Sequence, residues 1–124
     1  MAPVRVLIAD DHELVRRGIH SLLAPRPDWE VCGEAKDGIE AVEMAKLLRP
    51  DLILLDITMP RLNGLEAARI ICRETPEVRI LILSQHDPQH MAENAIRAGA
   101  RGFVSKADIA ANLLASMKAC FHED

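Results

Sequence analysis

Five short apolar runs punctuate the chain at the spacing of successive βα units: Val4–Ala9, Trp29–Ala35, Leu52–Leu55, Val78–Leu83 and Gly102–Val104. Leu52–Leu55 and Ile80–Leu83 are apolar at every position, the pattern of strands buried on both faces in the middle of a parallel sheet. Trp29–Ala35 carries Glu30, Gly33 and Glu34, which places it at an edge. Between the runs, apolar residues recur with helical period. Val15, Ile19, Leu22 and Leu23 share one face, as do Ala41, Val42, Ala45 and Leu48. Leu65, Ala68 and Cys72 form a third stripe, Ala92, Ala95, Ile96 and Gly99 a fourth, and Ile109, Leu113, Met117 and Phe121 a fifth. Pro25 and Pro27, Pro50, Pro76 and Gly99 stand where the first four helices should stop. Five strands alternating with five helices predict an open, doubly wound α/β fold around a five-stranded parallel sheet. The 124 residues are expected to form one domain, residues 1–124, without a finer repeat or a low-complexity tract.

Composition narrows the class. Hydrophobic residues at 49% and charged residues at 27% are globular proportions. The net charge is −4, the arginines are scattered, and only Trp29, Phe103 and Phe121 are aromatic. That leaves neither a basic stripe nor a base-stacking platform, so this chain is not expected to bind nucleic acid directly. Cys32, Cys72 and Cys120 are odd in number and far apart, and read as buried small hydrophobes in a reducing compartment. No run approaches the ~20 apolar residues of a membrane span, and Asp10, Asp11 and Glu13 rule out a secretory leader at the amino terminus. The expectation is a cytoplasmic protein with no membrane contact.

Ligands of doubly wound sheets bind beyond the carboxyl ends of the strands. The residues there are Asp10 and Asp11 after the first run, Asp56 after the third, Ser84 after the fourth, and Ser105 and Lys106 after the fifth. Right-handed crossovers bring all these ends to one edge. Each has a plain structural alternative. Asp10 or Asp11 could cap the first helix, Ser84 could serve near a helix start, and Lys106 could be solvated. Asp56 is harder to dismiss, because it follows four apolar residues in the expected central strand. Two carboxylates ~4 Å apart repel by roughly 4 kcal/mol at an effective dielectric near 20. Three together call for a proton or a cation. Carboxylate, carbonyl and water oxygens with no His or Cys nearby suit a hard ion, and Mg²⁺ uses one or two carboxylates with phosphate oxygens. Such an ion beside an ammonium and a hydroxyl would stabilise a phosphoryl group in transfer. A carboxylate can act as the nucleophile, giving an aspartyl phosphate, and Asp56 is the candidate.

These residues, with the stretch Asp56-Ile57-Thr58-Met59-Pro60-Arg61-Leu62-Asn63-Gly64, resemble the receiver domain of bacterial two-component response regulators from Val4 to about Phe121. Asp10-Asp11-His12-Glu13-Leu14-Val15-Arg16-Arg17-Gly18-Ile19, Gly33-Glu34-Ala35 and Ala98-Gly99-Ala100-Arg101-Gly102-Phe103 resemble the nitrate-response and quorum-type subfamily, whose receivers precede a helix-turn-helix domain. The resemblance implies a flavodoxin-like sheet of strand order 2-1-3-4-5 and Asp56 as phosphoacceptor. It implies Mg²⁺ held by Asp10, Asp11, Asp56 and the backbone carbonyl of Thr58. Ser84 and Lys106 would bind phosphoryl oxygens, Ser84 and Phe103 would form the switch, and Thr58 and His86 would tune dephosphorylation. There are two departures. Phe103 stands where many receivers have Tyr, and Ala107 where many have Pro, which leaves the geometry of the Lys106–Ala107 peptide open.

The implied function is a regulatory phosphorylation module of a phosphorelay, with no enzymatic activity beyond its own phosphotransfer and autodephosphorylation. Its partner would be a sensor histidine kinase, homodimers are possible, and the output would be a DNA-binding, transcription-regulating domain outside this chain. The alternative is a stand-alone receiver acting in a phosphorelay or by protein contacts. A magnesium phosphohydrolase would often carry a second acid two residues after its nucleophile, where this chain has Thr58. A pseudo-receiver would be expected to have lost acidic or lysine positions that are present here. His86 and His90 have a metal-ligand spacing, but Pro88 between them argues against a shared helix and a zinc site. His12 and His20 read as ordinary residues at a helix boundary or surface.

Overall fold

The computed structural model describes residues 2–85 and 88–121, and only the backbone of 88–92. Five strands and five helices alternate: β1 Val4–Ala9, α1 Glu13–Leu23, β2 Trp29–Ala35, α2 Gly38–Leu48, β3 Leu52–Asp56, α3 Gly64–Glu74, β4 Arg79–Ser84, α4 Pro88–Arg97, β5 Gly102–Ser105 and α5 Ile109–Ala119. A single 3-10 turn, Lys106–Asp108, joins β5 to α5. All strand pairs are parallel, in the order β2-β1-β3-β4-β5. The continuously apolar runs lie inside the sheet and the Glu-bearing β2 lies at its edge, as their composition predicts.

Alternation along the strands divides the core into two layers. Leu7, Ile53, Leu55, Ile80 and Ile82 face α2, α3 and α4, packing on Ala41, Ala45, Ala67, Ala68, Ile71 and Ala95. Val6, Ile8, Leu52, Leu54, Leu81 and Leu83 face α1 and α5, where Ile19, Leu23, Leu113 and Met117 meet them. Burying both faces of β3 and β4 is why their sequences do not alternate with polar residues; each buried Leu or Ile contributes roughly 1.5–3 kcal/mol. Side-chain caps set two helix starts: Asp37 accepts from the Glu40 N–H at 2.8 Å and Asn63 from the Glu66 N–H at 3.0 Å.

Three details depart from the sequence reading. Ile96 is 66% exposed, so the α4 stripe is narrower than its periodicity suggests. Only Cys120 is buried; Cys32 and Cys72 are half-buried. The β1–β2 register shifts after Val6, where Val31 is the partner and Gly33 pairs with the next residue, so Cys32 bulges out of the ladder.

Candidate functional site

The strand ends converge as parallel topology requires. Asp10 directly follows β1, where its N–H donates to the Ala35 carbonyl at 3.0 Å and its side chain is fully buried. Asp56 is the last residue of β3, paired with Leu83 and 1% exposed. Ser84 ends β4 opposite Ser105 of β5 and is likewise buried. Lys106 begins the turn after β5, and its Nζ reaches back to 2.7 Å from Asp10 Oδ2 and 3.2 Å from Asp56 Oδ2. The Lys106–Ala107 peptide is trans. Two carboxylates on neighbouring strands thus share one ammonium.

Asp10 does not cap α1. Its Oδ1 accepts from the His12 N–H at 2.8 Å and lies 3.2 Å from His12 Nδ1, which is also 3.0 Å from Asp11 Oδ1. Asp11 is the more open of the two, its side chain 31% exposed. Ligand atoms of Asp10, Asp11, His12 and Asp56 all fall within 4.8 Å of one another, a spacing that a single metal ion can bridge. Three ionised carboxylates and one ammonium leave two negative charges, the charge that one divalent cation balances. The donors are mostly carboxylate oxygens, so the residues present fit Mg²⁺.

Burial pushes the Asp56 carboxyl up from 3.8 to about 6, and the Asp10 charge adds to the rise; the Lys106 ammonium and the Thr58 N–H, which donates to Asp56 Oδ1 at 3.3 Å, oppose it. The group is therefore ionised at neutral pH, and it is an oxygen nucleophile more basic than an ordinary aspartate.

The loop after Asp56 is held tight. The Ile57 N–H donates to the Leu83 carbonyl at 3.1 Å and the Gly64 N–H to the Ile57 carbonyl at 2.8 Å. A Cβ on Gly64 would collide with the Asp56 carbonyl oxygen, so only glycine lets α3 start this close to the strand end. Arg61 takes a left-handed φ of 70° and its Nη1 reaches Asp37 Oδ2 at 3.1 Å. Phe103, in β5 opposite Ile82, is half-buried against the α2–α4 layer. Thr58 is exposed at the mouth of the site. His86, assigned a role in dephosphorylation, and the His86–His90 pair lie outside the described residues or side chains. A cleft of about 270 Å³ between α1 and α5, lined by Val15, Ile19, Leu22 and Ile109, adjoins the site and shares Lys106 with it.

Two residues at the site escaped the sequence reading. His12 is one, and the buried Arg16 is the other. Arg16 donates from Nη1 to the Asp10 carbonyl at 2.6 Å and from Nε to Glu34 Oε1 at 2.8 Å, so it braces the Asp10 backbone against β2. Its signal was present: Arg16 stands three residues before Ile19 and seven before Leu23, a charge inside an apolar helical stripe.

The chain belongs to the response regulator receiver domain family, whose model matches residues 6–118. It is similar to the transcriptional regulatory protein LiaR of Bacillus subtilis, with 40% identity over 116 residues that cover 94% of this chain and 55% of LiaR. It is also similar to the transcriptional regulatory protein DegU of Brevibacillus brevis, with 38% identity over 115 residues, 93% of this chain and 49% of DegU. Among solved structures, a LuxR-family two-component response regulator from Aurantimonas sp. SI85-9A1 superposes with a TM-score of 0.88 at 36% identity, covering 94% of this chain and 84% of that one. These relatives agree with the nitrate-response and quorum-type resemblance. The chain spans about half the length of the curated relatives it matches. Among the described residues, no helix is long and apolar enough to cross a membrane.

Proposed function

We propose that residues 1–124 act as a single phosphoacceptor domain in which Asp56 takes a phosphoryl group from a sensor histidine kinase and thereby switches an output. The observation that carries this reading is the buried triad of Asp10, Asp56 and Lys106, in which one ammonium lies within 3.2 Å of both carboxylates. An Asp56 oxygen would attack phosphorus, forming a P–O bond as the P–N bond to the donor histidine breaks and the electron pair leaves with the imidazole nitrogen. Lys106 would shift its charge from Asp56 to a phosphoryl oxygen, and the Ser84 hydroxyl would meet another. Mg²⁺ would be held by Asp10, Asp11, Asp56 and the Thr58 carbonyl. When bound, it supplies positive charge that offsets the carboxylates and the phosphoryl oxygens. Thr58 and His86 would set how readily water reaches the acyl phosphate.

The output would be transcriptional, as the names of LiaR and DegU suggest, through a DNA-binding domain. Ser84 and Phe103 would carry the change from Asp56 to the α4–β5 surface, which includes Arg101. The cellular site would be the cytoplasm, where a kinase could reach the open carboxyl edge. Acetyl phosphate with Mg²⁺ tests the chemistry by intact mass. The wild type should gain one phosphoryl group, chelation should abolish the gain, and Asp56→Asn should show none. Equal labelling of Asp56→Asn would overturn the assignment.

A further inference from the structure

His12 is a ligand-bearing side chain that the phosphoryl chemistry does not use. The two nitrogen-bearing side chains of the site divide the carboxylates between them. Lys106 lies against the Oδ2 atoms of Asp10 and Asp56, whereas His12 Nδ1 lies against the Oδ1 atoms of Asp10 and Asp11. Asp10 and Asp56 are both more than nine-tenths buried, and their Oδ2 atoms accept no hydrogen bond among the described residues, meeting only the Lys106 charge. The donor set of the cluster is carboxylate oxygen with one imidazole nitrogen, all within 4.8 Å of one another and so within the span of a single ion. The His12 ring is 53% exposed, so it can turn towards or away from an ion without disturbing the core.

Ions differ in what they gain from that nitrogen. Mg²⁺ binds oxygen in octahedral geometry and keeps several waters, so it has no use for imidazole. Co²⁺, Ni²⁺ and Zn²⁺ bind imidazole well, and they exceed the harder divalent ions in affinity for mixed nitrogen and oxygen sites. We propose that His12 is a specificity-determining ligand: the carboxylates hold Mg²⁺ without it, and its Nδ1 joins them to hold a borderline transition ion such as Co²⁺, Ni²⁺ or Zn²⁺, which competes with Mg²⁺ for the same site. The proposal rests on the reading of Asp10, Asp11 and Asp56 as metal ligands. It adds a chemical class of ligand, and it assigns a role to the one nitrogen donor in the cluster.

The test is a set of metal titrations on the whole chain, with Mg²⁺ alone, Co²⁺ alone, and Co²⁺ against Mg²⁺. Wild type, His12→Ala, His12→Asn and Asp11→Asn are compared. His12 precedes α1 at its cap position, and Asn is a favoured N-cap residue, so His12→Asn guards against a folding artefact. Both His12 variants should bind Mg²⁺ as the wild type does and lose roughly ten- to a hundredfold in Co²⁺ affinity, the range that even an outer-shell partner is worth at a metal site. In the Co²⁺ form, a hyperfine-shifted imidazole N–H resonance should appear in the wild type and vanish in both His12 variants. If Mg²⁺ binds and the His12 variants hold Co²⁺ as tightly as the wild type, this inference is wrong and the proposed function stands. If Asp11→Asn keeps full Co²⁺ affinity, the ion sits elsewhere and the inference is also wrong. If Mg²⁺ fails to bind the wild type, the metal reading beneath both is wrong.

Discussion

Replacing Asp56 with Asn should stabilise the metal-free protein at neutral pH, although it removes half of a buried ion-pair arrangement. The side chain is only 2% exposed, so solvent does little to screen it. Raising its carboxyl from 3.8 to about 6 means that the ionised form costs the folded state about 3 kcal/mol at pH 7, at ~1.4 kcal/mol per pKa unit. Asn has the same shape without the charge, and Lys106 keeps Asp10 at 2.7 Å as its partner. Loss of the Lys106 contact offsets part of the gain, which leaves about 1–3 kcal/mol and a rise in Tm of several degrees. The sign follows from linkage. Because the folded pKa lies above the unfolded one, the folded state binds more protons between them, and wild-type stability falls as pH rises from about 4 to about 6. The Asn variant lacks that slope, so its advantage should be absent near pH 4, open through pH 6 and stay constant above pH 7. Urea unfolding of both proteins in chelator across that range measures it, since titrating groups remote from Asp56 cancel in the difference. An Asn variant no more stable than wild type at pH 7.5, or a gap already complete at pH 4, would refute the reasoning.

Asp11→Asn should weaken Mg²⁺ binding by well over tenfold in calorimetric titration, because one charge ~4 Å away is worth about 4 kcal/mol even at an effective dielectric near 20. Gly64→Ala should cost about 1–3 kcal/mol or more in denaturant unfolding, since the new methyl group has to displace the Asp56 carbonyl or the start of α3. Ser84→Ala and Phe103→Ala should still accept a phosphoryl group at Asp56 yet show smaller amide shifts over α4 and β5 with beryllofluoride. Phe103 is already half-buried, so its inward turn gains only part of the ~1.5–3 kcal/mol of full ring burial.

Much of this architecture is legible in the sequence because burial writes a simple code. Leu52–Leu55 and Ile80–Leu83 are apolar throughout and prove central; Glu30 and Glu34 mark the edge strand. Once the strands are placed, the topology rule alone predicts that Asp10, Asp56, Ser84 and Lys106 meet. What stays hidden depends on tertiary neighbours. Ile96 follows Ala95 on the rim of the α4 stripe, and no pattern of period 3.6 says which side of a rim faces solvent. Cys32 leaves the ladder through a register shift that involves two strands, information absent from either one alone. His12 reads as a helix-boundary or surface residue because nothing in the sequence says that its Nδ1 turns back to lie 3.2 Å from Asp10 and 3.0 Å from Asp11. Arg16 is readable as a charge on a buried stripe, but its partners, the Asp10 carbonyl just after β1 and Glu34 in β2, are brought together only by the fold.

The identity of the phosphorylated atom is the centre of this account, and reductive trapping measures it directly. After reaction with acetyl phosphate and Mg²⁺, borohydride reduces an aspartyl phosphate to homoserine, and peptide mass spectrometry locates the change. The account predicts homoserine at position 56 alone, dependent on Mg²⁺ and sharply reduced when Lys106 is replaced by Ala. Homoserine at position 10 or 11 with none at 56, or labelling that survives both chelation and the loss of Lys106, would contradict it.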